Sequence, residues 1–325
     1  MNSIYRAILA VFFLPYTLLP KGENTVHEWN QIVPENIDDL LKIQVRLQSL
    51  LPKVQGTVVS IEANDGAGSG VIVSKDGLVL TAAHVIGSSN KKMFVRLPNG
   101  KRYPAISLGG SELSDAGMLK ITKPGSWPFA KMASQGSTSL GDWCFGLGHP
   151  GGFDKERGIV VRVGKVIGNK DETMQTDSRL LGGDSGGPLF DFNGQVIAIH
   201  SRISKKPDEN FHVPIESFLA NWDFFQNSKL FTLSKMEKGG FLGVACKETD
   251  DGVIIIDAIE GTAAEKSGLQ PNDVILAVDG EKIDNREELT ILLSSKNPND
   301  EIKLEYERKG ISQSLKIKLG ERPEE

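Results

Sequence analysis

Residues 68–85 read GSGVIVSKDGLVLTAAHV, in which two short β-branched runs flank a polar glycine turn and end beside a histidine. The same texture extends from residue 54 to about residue 213, where runs such as KMFVRL, GIVVRVGKVIG and GQVIAIHSRI alternate with glycine turns. Many short strands at near-regular spacing are typical of a β-sandwich or of β-barrels. No strand–helix–strand rhythm is present, so a parallel doubly wound sheet is not expected.

Length and composition exclude several classes of protein. The 325 residues are enough for about two domains, and 39% hydrophobic with 24% charged residues is ordinary for a soluble globular protein. A net charge of −5 without a long Lys/Arg cluster predicts no nucleic-acid partner. There is no zinc-ligand spacing, and Cys144 and Cys246 lie too far apart to indicate a redox motif or a disulfide. GAGSG, residues 66–70, leads into a strand rather than a helix, so it does not indicate a dinucleotide site. We therefore expect no cofactor, and the missing zinc-ligand spacing predicts no metal.

The N-terminal residues 1–22 predict a signal peptide or a membrane anchor. Residues 7–19, AILAVFFLPYTLL, form an apolar run that is shorter than the roughly 20 residues of a comfortable membrane span. The run fits the apolar region of a secretory signal, but no A-x-A-like cleavage site follows it. Cleavage and retention as an anchor therefore both stay open. Either outcome predicts an extracytoplasmic protein, periplasmic or secreted.

Three further segments follow along the chain. Residues 23–52 form an N-terminal extension, in which residues 35–51 carry leucines and isoleucines at helical spacing between two prolines. Residues 53–230 form the strand-rich domain, closed by a predicted helix at 214–226. Residues 235–240, KMEKGG, indicate a linker, and residues 236–322 predict a compact α+β module.

A possible nucleophile lies in GGDSGGPLF, residues 182–190, although glycine–serine clusters usually mark only turns. A serine hydroxyl needs a base, and the base needs a group that orients it. Of the five histidines, His84 stands at a strand end beside small residues, and Asp115 precedes an apolar strand. The backbone N–H groups of Gly183 and Ser185 offer an oxyanion hole. His149, His200 and His212 are expected to be structural.

Several motifs resemble one protease family. TAAHV, SDAGMLK and GDSGGPL are similar to the three catalytic blocks of trypsin-like proteases, and GDWCFGLGHPGG and TDSRLLGGDSGGPLF resemble its bacterial HtrA/Deg branch. GGFLGV and GTAAEKSGLQPNDVILAVDGEKI resemble the PDZ module of that branch. The resemblance implies a mostly β fold, with two six-stranded antiparallel chymotrypsin-like β-barrels in residues 53–230 and a small α+β PDZ domain in residues 236–322.

The resemblance also implies roles for individual residues. Ser185 would be the nucleophile, His84 the general base and then acid, and Asp115 the group that orients His84. Gly183 and Ser185 would hold the oxyanion. The implied protein is a serine endopeptidase that hydrolyses unfolded or regulatory proteins. The alternative is a non-catalytic protease-like chaperone or PDZ scaffold.

Two positions depart from the family pattern. Asp184 stands where the Deg branch usually has asparagine, and with no activation site ahead of the first strand it must find another partner or remain solvated. The substrate pocket is predicted from Arg179, Leu180, His200 and Ser201. If Arg179 turns to solvent, Leu180 favours a small aliphatic P1 residue; if it enters the pocket, it favours an acidic one.

The tail predicts a peptide-binding site. Phe241, Leu242 and Gly243 fall where the resemblance puts the carboxylate-binding loop, and Leu289, Leu292 and Leu293 are candidates for the groove wall. PDZ domains add an extended peptide as a strand and capture its terminal carboxylate with backbone N–H groups. The expected partners are unfolded or C-terminal peptide segments. The short segment from Gly56 to Gly68 lacks the long regulatory loop of some chaperone-like members and favours a homotrimer.

Overall fold

The computed structural model describes residues 33–63, 66–170, 173–203, 210–249 and 252–323. The apolar run at 7–19 lies outside these ranges. The first element is helix α1, Ile37–Val54, which starts where the Asn36 side chain accepts a hydrogen bond from the Asp39 N–H. It continues through Pro52, where the prediction ended it, because a proline in the last turn removes only one hydrogen bond. Within the described ranges, no helix is long and apolar enough to span a bilayer.

The first barrel closes on itself through antiparallel pairs in the order β5-β4-β1-β2-β3-β6, with β6 returning to β5. The short helix α2, Ala83–Ile86, follows its third strand. Its six strands are β1 Val58–Ala63, β2 Gly66–Ile72, β3 Leu78–Ala82, β4 Lys92–Arg96, β5 Arg102–Ser111 and β6 Ala116–Ile121.

The second barrel closes in the order β11-β8-β9-β10-β13-β12, with β12 returning to β11. A two-residue strand, β7, adds to β12 in parallel at its edge. The predicted fold class, two six-stranded antiparallel barrels, is confirmed. The strands are β7 Lys131–Met132, β8 Trp143–Gly148, β9 Val160–Lys170, β10 Thr173–Thr176, β11 Pro188–Asp191, β12 Gln195–Ile203 and β13 Asn210–Pro214.

Helix α1 packs on the second barrel near the β11–β12 turn. The Arg46 guanidinium donates to the Phe192 carbonyl oxygen at 2.8 Å, and a side chain at Gly194 would meet Leu50 and Val54 within 3.5 Å. The N-terminal half of the helix instead leaves four apolar side chains largely exposed, namely Ile37, Leu40, Leu41 and Val45.

The connection between the domains differs from its prediction. It consists of α3 Ile215–Ala220, α4 Trp222–Gln226, β14 Leu230–Phe231 and α5 Leu233–Lys238. The single helix predicted at 214–226 is interrupted at Asn221. The backbone of this residue leaves the helical path, with φ −104° and ψ 21°, and its side chain donates a hydrogen bond to the Ser217 carbonyl oxygen. Most of the predicted linker 235–240 is helical, because Thr232 caps the start of α5.

The PDZ-like module has its own buried core and a sheet in the order β15-β16-β17-β19-β20, with β18 paired to β17. The predicted helices in GTAAEKSGL and NREELTILLSS are both present. The elements are β15 Val244–Thr249, β16 Gly252–Ala258, α6 Ala263–Ser267, β17 Val274–Val278, β18 Glu281–Lys282, α7 Arg286–Ser294, β19 Glu301–Arg308 and β20 Ile311–Lys318.

One carboxylate joins the two domains. Glu287, in the first turn of α7, is 3% exposed. Its carboxylate accepts hydrogen bonds from the Ser114 hydroxyl and from the Asn221 amide, both at 2.9 Å. Burial raises the pKa of Glu287, against the hydrogen bonds that favour its ionised form. This contact attaches the PDZ-like module to the turn between β5 and β6.

We predict that Glu287→Ala lowers the free energy of unfolding of the docked chain by about 1–3 kcal/mol, because it leaves buried donors without an acceptor. Glu287→Gln keeps a carbonyl acceptor and should lose less. The free energy of unfolding is measured by urea denaturation. Calorimetry then shows whether the two domains unfold in separate transitions, as expected when docking is lost. Glu301→Ala, which removes an exposed ion pair, is the matched control. Equal stability and docking in Glu287→Ala and the control would contradict the assignment.

Candidate active site

His84 and Asp115 meet at the edge of the first barrel. His84 lies in α2, and its ring Nδ1 is 3.0 Å from both carboxylate oxygens of Asp115. The backbone N–H of His84 donates to the same carboxylate at 3.1 Å. The carboxylate therefore fixes both the ring and the backbone of the histidine, and it favours the tautomer with hydrogen on Nδ1.

The backbone holds Asp115 in an uncommon conformation. Its φ of 61° lies in the left-handed region, and its carbonyl oxygen accepts from the Ala83 N–H at 2.9 Å. Next to it, a Cβ on Gly117 would come within 2.8 Å of the Ala82 carbonyl oxygen. Only glycine allows the strands β3 and β6 to approach this closely, and the approach brings Asp115 beneath the histidine.

Ser185 enters the same cleft from the second barrel. Its half-buried hydroxyl donates to the Ser201 carbonyl oxygen at 3.2 Å, while the Ser201 hydroxyl donates to the Asp115 carboxylate at 2.5 Å. Among the described residues, Ser185 shares no hydrogen bond with His84. Ser201 thus contacts two of the three predicted triad residues, and the hydroxyl of Ser185 is engaged by the Ser201 carbonyl oxygen rather than by the imidazole.

The loop before Ser185 presents backbone amides to the cleft. The Gly182 carbonyl oxygen accepts from the Gly151 N–H at 2.8 Å, so the N–H on the other side of that trans peptide, which belongs to Gly183, points away from this turn. Gly183 has a φ of 95°, and a Cβ there would come within 2.4 Å of the Gly151 nitrogen. In the described part of the chain, the amides of Gly183 and Ser185 have no protein acceptor.

Asp184 has a partner that the sequence did not indicate. Its carboxylate lies 2.7 Å from the guanidinium of Arg162 on β9, with side chains 2% and 12% exposed. The same carboxylate accepts from the Leu181 N–H at 2.8 Å. Burial raises the pKa of Asp184, in opposition to these contacts. Removing one member of a buried pair typically costs about 3–5 kcal/mol, so this pair keeps the loop in place.

The electrostatics suit a histidine base. The hydrogen bond to Asp115 raises the pKa of His84 above its usual 6.5, against the effect of burial. Burial opposes ionisation of Asp115, but hydrogen bonds from His84 and Ser201 outweigh it and lower the pKa of its carboxyl group. Asp115 is therefore the anion of the pair, and its charge favours the protonated form of the His84 ring.

The four predicted pocket residues have different surroundings. The Arg179 side chain is exposed, and the Arg179 carbonyl oxygen accepts a hydrogen bond from Arg162 Nε. Leu180 is buried, and its N–H donates to the Asn210 side chain at 2.9 Å. His200 is buried beneath the nucleophile loop, with its N–H donating to the Gly187 carbonyl oxygen at 2.8 Å. The Ser201 hydroxyl is directed to Asp115.

The predicted peptide-binding loop is partly engaged within its own domain. The Phe241 N–H donates to the Gly320 carbonyl oxygen at 3.0 Å, and the Leu242 side chain is buried in the PDZ core. Gly243 has a φ of 83° against Thr262. In the residues described, the amides of Leu242 and Gly243 have no protein acceptor.

The three leucines proposed for the groove wall divide into two kinds. Leu289 and Leu293 are 3% and 7% exposed and belong to the PDZ core. Leu292 is partly buried and lines a cleft of about 1050 Å³ between α7 and residues 219–235. Two of the three candidates are therefore core residues, and the third faces the protease-like domain.

Sequence reasoning missed two residues that shape the site. Ser69 is fully buried, and its hydroxyl donates to the Gly183 carbonyl oxygen at 2.8 Å while accepting from the His149 N–H at 2.9 Å. Arg162 lies in an otherwise apolar strand, GIVVRVG, and that isolated charge is the signal that could have identified it. In the described residues, no group of three or more His, Cys, Asp or Glu could hold a metal ion.

Two domain families match the chain. Residues 68–199 match the trypsin-like peptidase domain, and residues 240–319 match the PDZ domain. A probable periplasmic serine endoprotease described as DegP-like, from Hahella chejuensis, is 30% identical over 276 residues, covering 79% of this chain and 57% of that protein. Its counterpart in Bartonella henselae is 30% identical over 278 residues, with coverage of 79% and 54%. The chain thus spans somewhat more than half the length of these curated relatives.

Solved structures share the fold. The HtrA-type protease AlgW, determined with a tripeptide, has a TM-score of 0.57 at 23% identity, covering 86% of this chain and 98% of its own. The serine endoprotease from Yersinia pestis has a TM-score of 0.55 at 21% identity, with coverage of 90% and 100%. The predicted resemblance, to trypsin-like proteases of the HtrA type with one PDZ domain, is confirmed.

We predict that Asp115→Asn moves the acid limb of the activity profile to lower pH. Activity needs neutral His84, so it falls as pH drops through the raised pKa of that ring, and removing the carboxylate removes the cause of the rise. The rate should also fall by about 10⁴-fold, because the tautomer is no longer fixed. The measurement is kcat/KM against pH. Asp279→Asn, in an exposed pair of the PDZ domain, is the control. An unmoved acid limb in Asp115→Asn would contradict the pairing.

Proposed function

Because the chain belongs to the trypsin-like peptidases that carry a PDZ domain, we propose that it is a serine endopeptidase of the HtrA/Deg type. It hydrolyses peptide bonds in unfolded or regulatory proteins. The observation that carries the proposal is the contact of Ser201 with both Asp115 and Ser185, since it brings residues from two barrels into one cleft beside His84.

The proposed reaction begins with a rotation of the Ser185 hydroxyl from the Ser201 carbonyl oxygen toward His84. Ser185 Oγ then attacks the scissile carbonyl carbon while His84 Nε2 accepts its proton. The oxyanion is held by the amides of Gly183 and Ser185, which have no acceptor in the described part of the chain. His84 donates the proton to the leaving amine, and water releases the acyl group by the same steps.

The orientation of the Ser185 hydroxyl is the one feature that favours the alternative function. A protein that uses its barrels only as a chaperone or PDZ scaffold needs no hydrogen bond between Ser185 and His84. Catalytic hydrogen bonds are, however, often long or unformed in the absence of substrate. The intact His84–Asp115 pair and the unengaged amides support the catalytic proposal.

We predict that a fluorophosphonate labels the chain at Ser185 and that Ser185→Ala abolishes both labelling and casein cleavage. The variant should fold normally, because the removed hydroxyl makes one hydrogen bond of 3.2 Å. Ser295→Ala, an exposed serine of the PDZ domain, is the control. Wild-type chain that is not labelled, with or without an added C-terminal peptide, would instead support the scaffold function.

The PDZ domain is proposed to bind hydrophobic C-terminal peptides. The amides of Leu242 and Gly243 would receive the terminal carboxylate, and β15 would pair with the peptide backbone. The backbone N–H of Phe241 is not available to the carboxylate, because it donates to the Gly320 carbonyl oxygen.

We predict measurable heat when a peptide with an apolar C-terminal residue is titrated into the chain by calorimetry. The same peptide with an amidated C-terminus should bind at least about 10-fold more weakly, because a hydrogen bond to a charged group is lost. Equal heats for the two peptides would contradict carboxylate capture, and the absence of heat would contradict peptide binding at this loop.

The assembly and location are also proposed. A homotrimer is supported by the exposed apolar residues of α1, since exposed apolar patches mark interaction sites, and sedimentation equilibrium reports its mass. A periplasmic or secreted location is supported by the apolar run at 7–19 and by the periplasmic description of the relatives. The same run would provide membrane anchoring if it is not cleaved.

A further inference from the structure

Two buried imidazoles are paired beneath the candidate nucleophile. His200 on β12 lies opposite His212 on β13, and each is 1% exposed. Their Nδ1 atoms are 2.9 Å apart. At this distance one Nδ1 carries the hydrogen and the other accepts it, so the protonation of one ring fixes the tautomer of the other.

The pair continues into a chain of hydroxyl groups. His212 Nε2 lies 2.7 Å from the Thr176 hydroxyl, which lies 2.8 Å from the Ser178 hydroxyl. When these hydroxyls donate toward His212, its Nδ1 hydrogen is donated to His200. The hydrogen of His200 then resides on Nε2, at the opposite end of the chain. A neutral His200 is thereby prepared as a hydrogen-bond donor.

That end of the chain lies under the reacting groups. The backbone of His200 bonds to Gly186 and Gly187, the two residues after the nucleophile, at 2.7 and 2.8 Å. Its Nε2 and Cε1 lie against Gly146, where a Cβ would come within 2.7 Å of both atoms. The next residue, Ser201, contacts Ser185 and Asp115. His200 therefore lies directly under the loop that carries Ser185, with the Nε2 edge of its ring against the glycine of β8.

A cation, Arg162, acts electrostatically on His200. Arg162 bonds to Asp184 and to the Arg179 carbonyl oxygen. Burial, His212 and Arg162 together hold the pKa of His200 well below its usual value, so the free pair is neutral. A neutral donor beside a guanidinium suits an incoming anion better than an apolar side chain.

We propose that His200 is the specificity-determining residue of the P1 pocket and that it recognises an acidic P1 side chain through Nε2. The assignment rests on the proposed peptidase function. It differs from recognition by Arg179, whose side chain is exposed. The His212–Thr176–Ser178 chain acts through His200, by fixing its tautomer, and does not touch the substrate.

The test uses the full chain and fluorogenic peptides that differ only at P1, as Glu, Gln, Val or Lys, after active-site titration with a fluorophosphonate. We expect kcat/KM for Glu to exceed that for Val and for Gln by about 10-fold or more, as for a hydrogen bond to a charged group. His200→Val should abolish the Glu-over-Val preference, and His212→Phe should reduce it. Arg179→Gln is the matched variant and should retain it.

The outcomes separate two failures. Wild-type chain that reacts with fluorophosphonate but prefers Val at P1 overturns the assignment of His200 and leaves the peptidase function standing. Loss of the Glu preference in Arg179→Gln, with its retention in His200→Val, transfers recognition to Arg179. If His200→Val fails to fold, the P1 preference of the wild-type chain and the effect of His212→Phe on it still test the assignment of His200. Absence of fluorophosphonate labelling overturns the peptidase function itself.

Discussion

The site depends on the placement of one half-buried carboxylate. Asp115 accepts from the backbone and ring of His84 and from the hydroxyl of Ser201, and its own backbone is held at a φ of 61° by the Ala83 amide. A carboxylate with several donors stays ionised although burial opposes it. Because these donors come from both barrels, the carboxylate also fixes how the barrels meet, and every other group in the cleft is positioned relative to it.

The turn that carries Asp115 also connects the candidate active site to the PDZ domain. Ser114 precedes Asp115 and donates a hydrogen bond to Glu287 at the start of α7. Glu248 on β15 accepts a hydrogen bond from the backbone N–H of Arg286, the residue before Glu287. A peptide that pairs with β15 would therefore lie near the element that holds Glu287. The contact gives the PDZ domain a defined physical route to the carboxylate of Asp115, through two hydrogen bonds and two peptide bonds.

The barrels and the PDZ module could be predicted from sequence, because strand runs, glycine turns and short blocks are local patterns. The same blocks indicate the residues of the candidate site, whose roles stay a prediction. The partners of those residues could not be predicted. Arg162 finds Asp184, Asn221 finds Glu287 and Ser69 finds Gly183 across long sequence separations. Asn221 and Ser69 have local contexts that do not differ from an ordinary helix or strand, and the isolated charge of Arg162 marks that residue but not its partner. The break at Asn221 has the same origin, since a contact with another domain outweighs local helix propensity.

The pair of Asp184 and Arg162 explains how the oxyanion loop is ordered. An unpaired buried carboxylate at position 184 would destabilise the loop that carries Gly183, and the pairing with Arg162 removes that cost. The partner comes from β9 of the same barrel, and it is in place as soon as that barrel folds. Ser69 adds a second tie from the first barrel. The amides are therefore arranged in the absence of substrate, and in the proposed mechanism the Ser185 hydroxyl turns from Ser201 toward His84 when substrate binds.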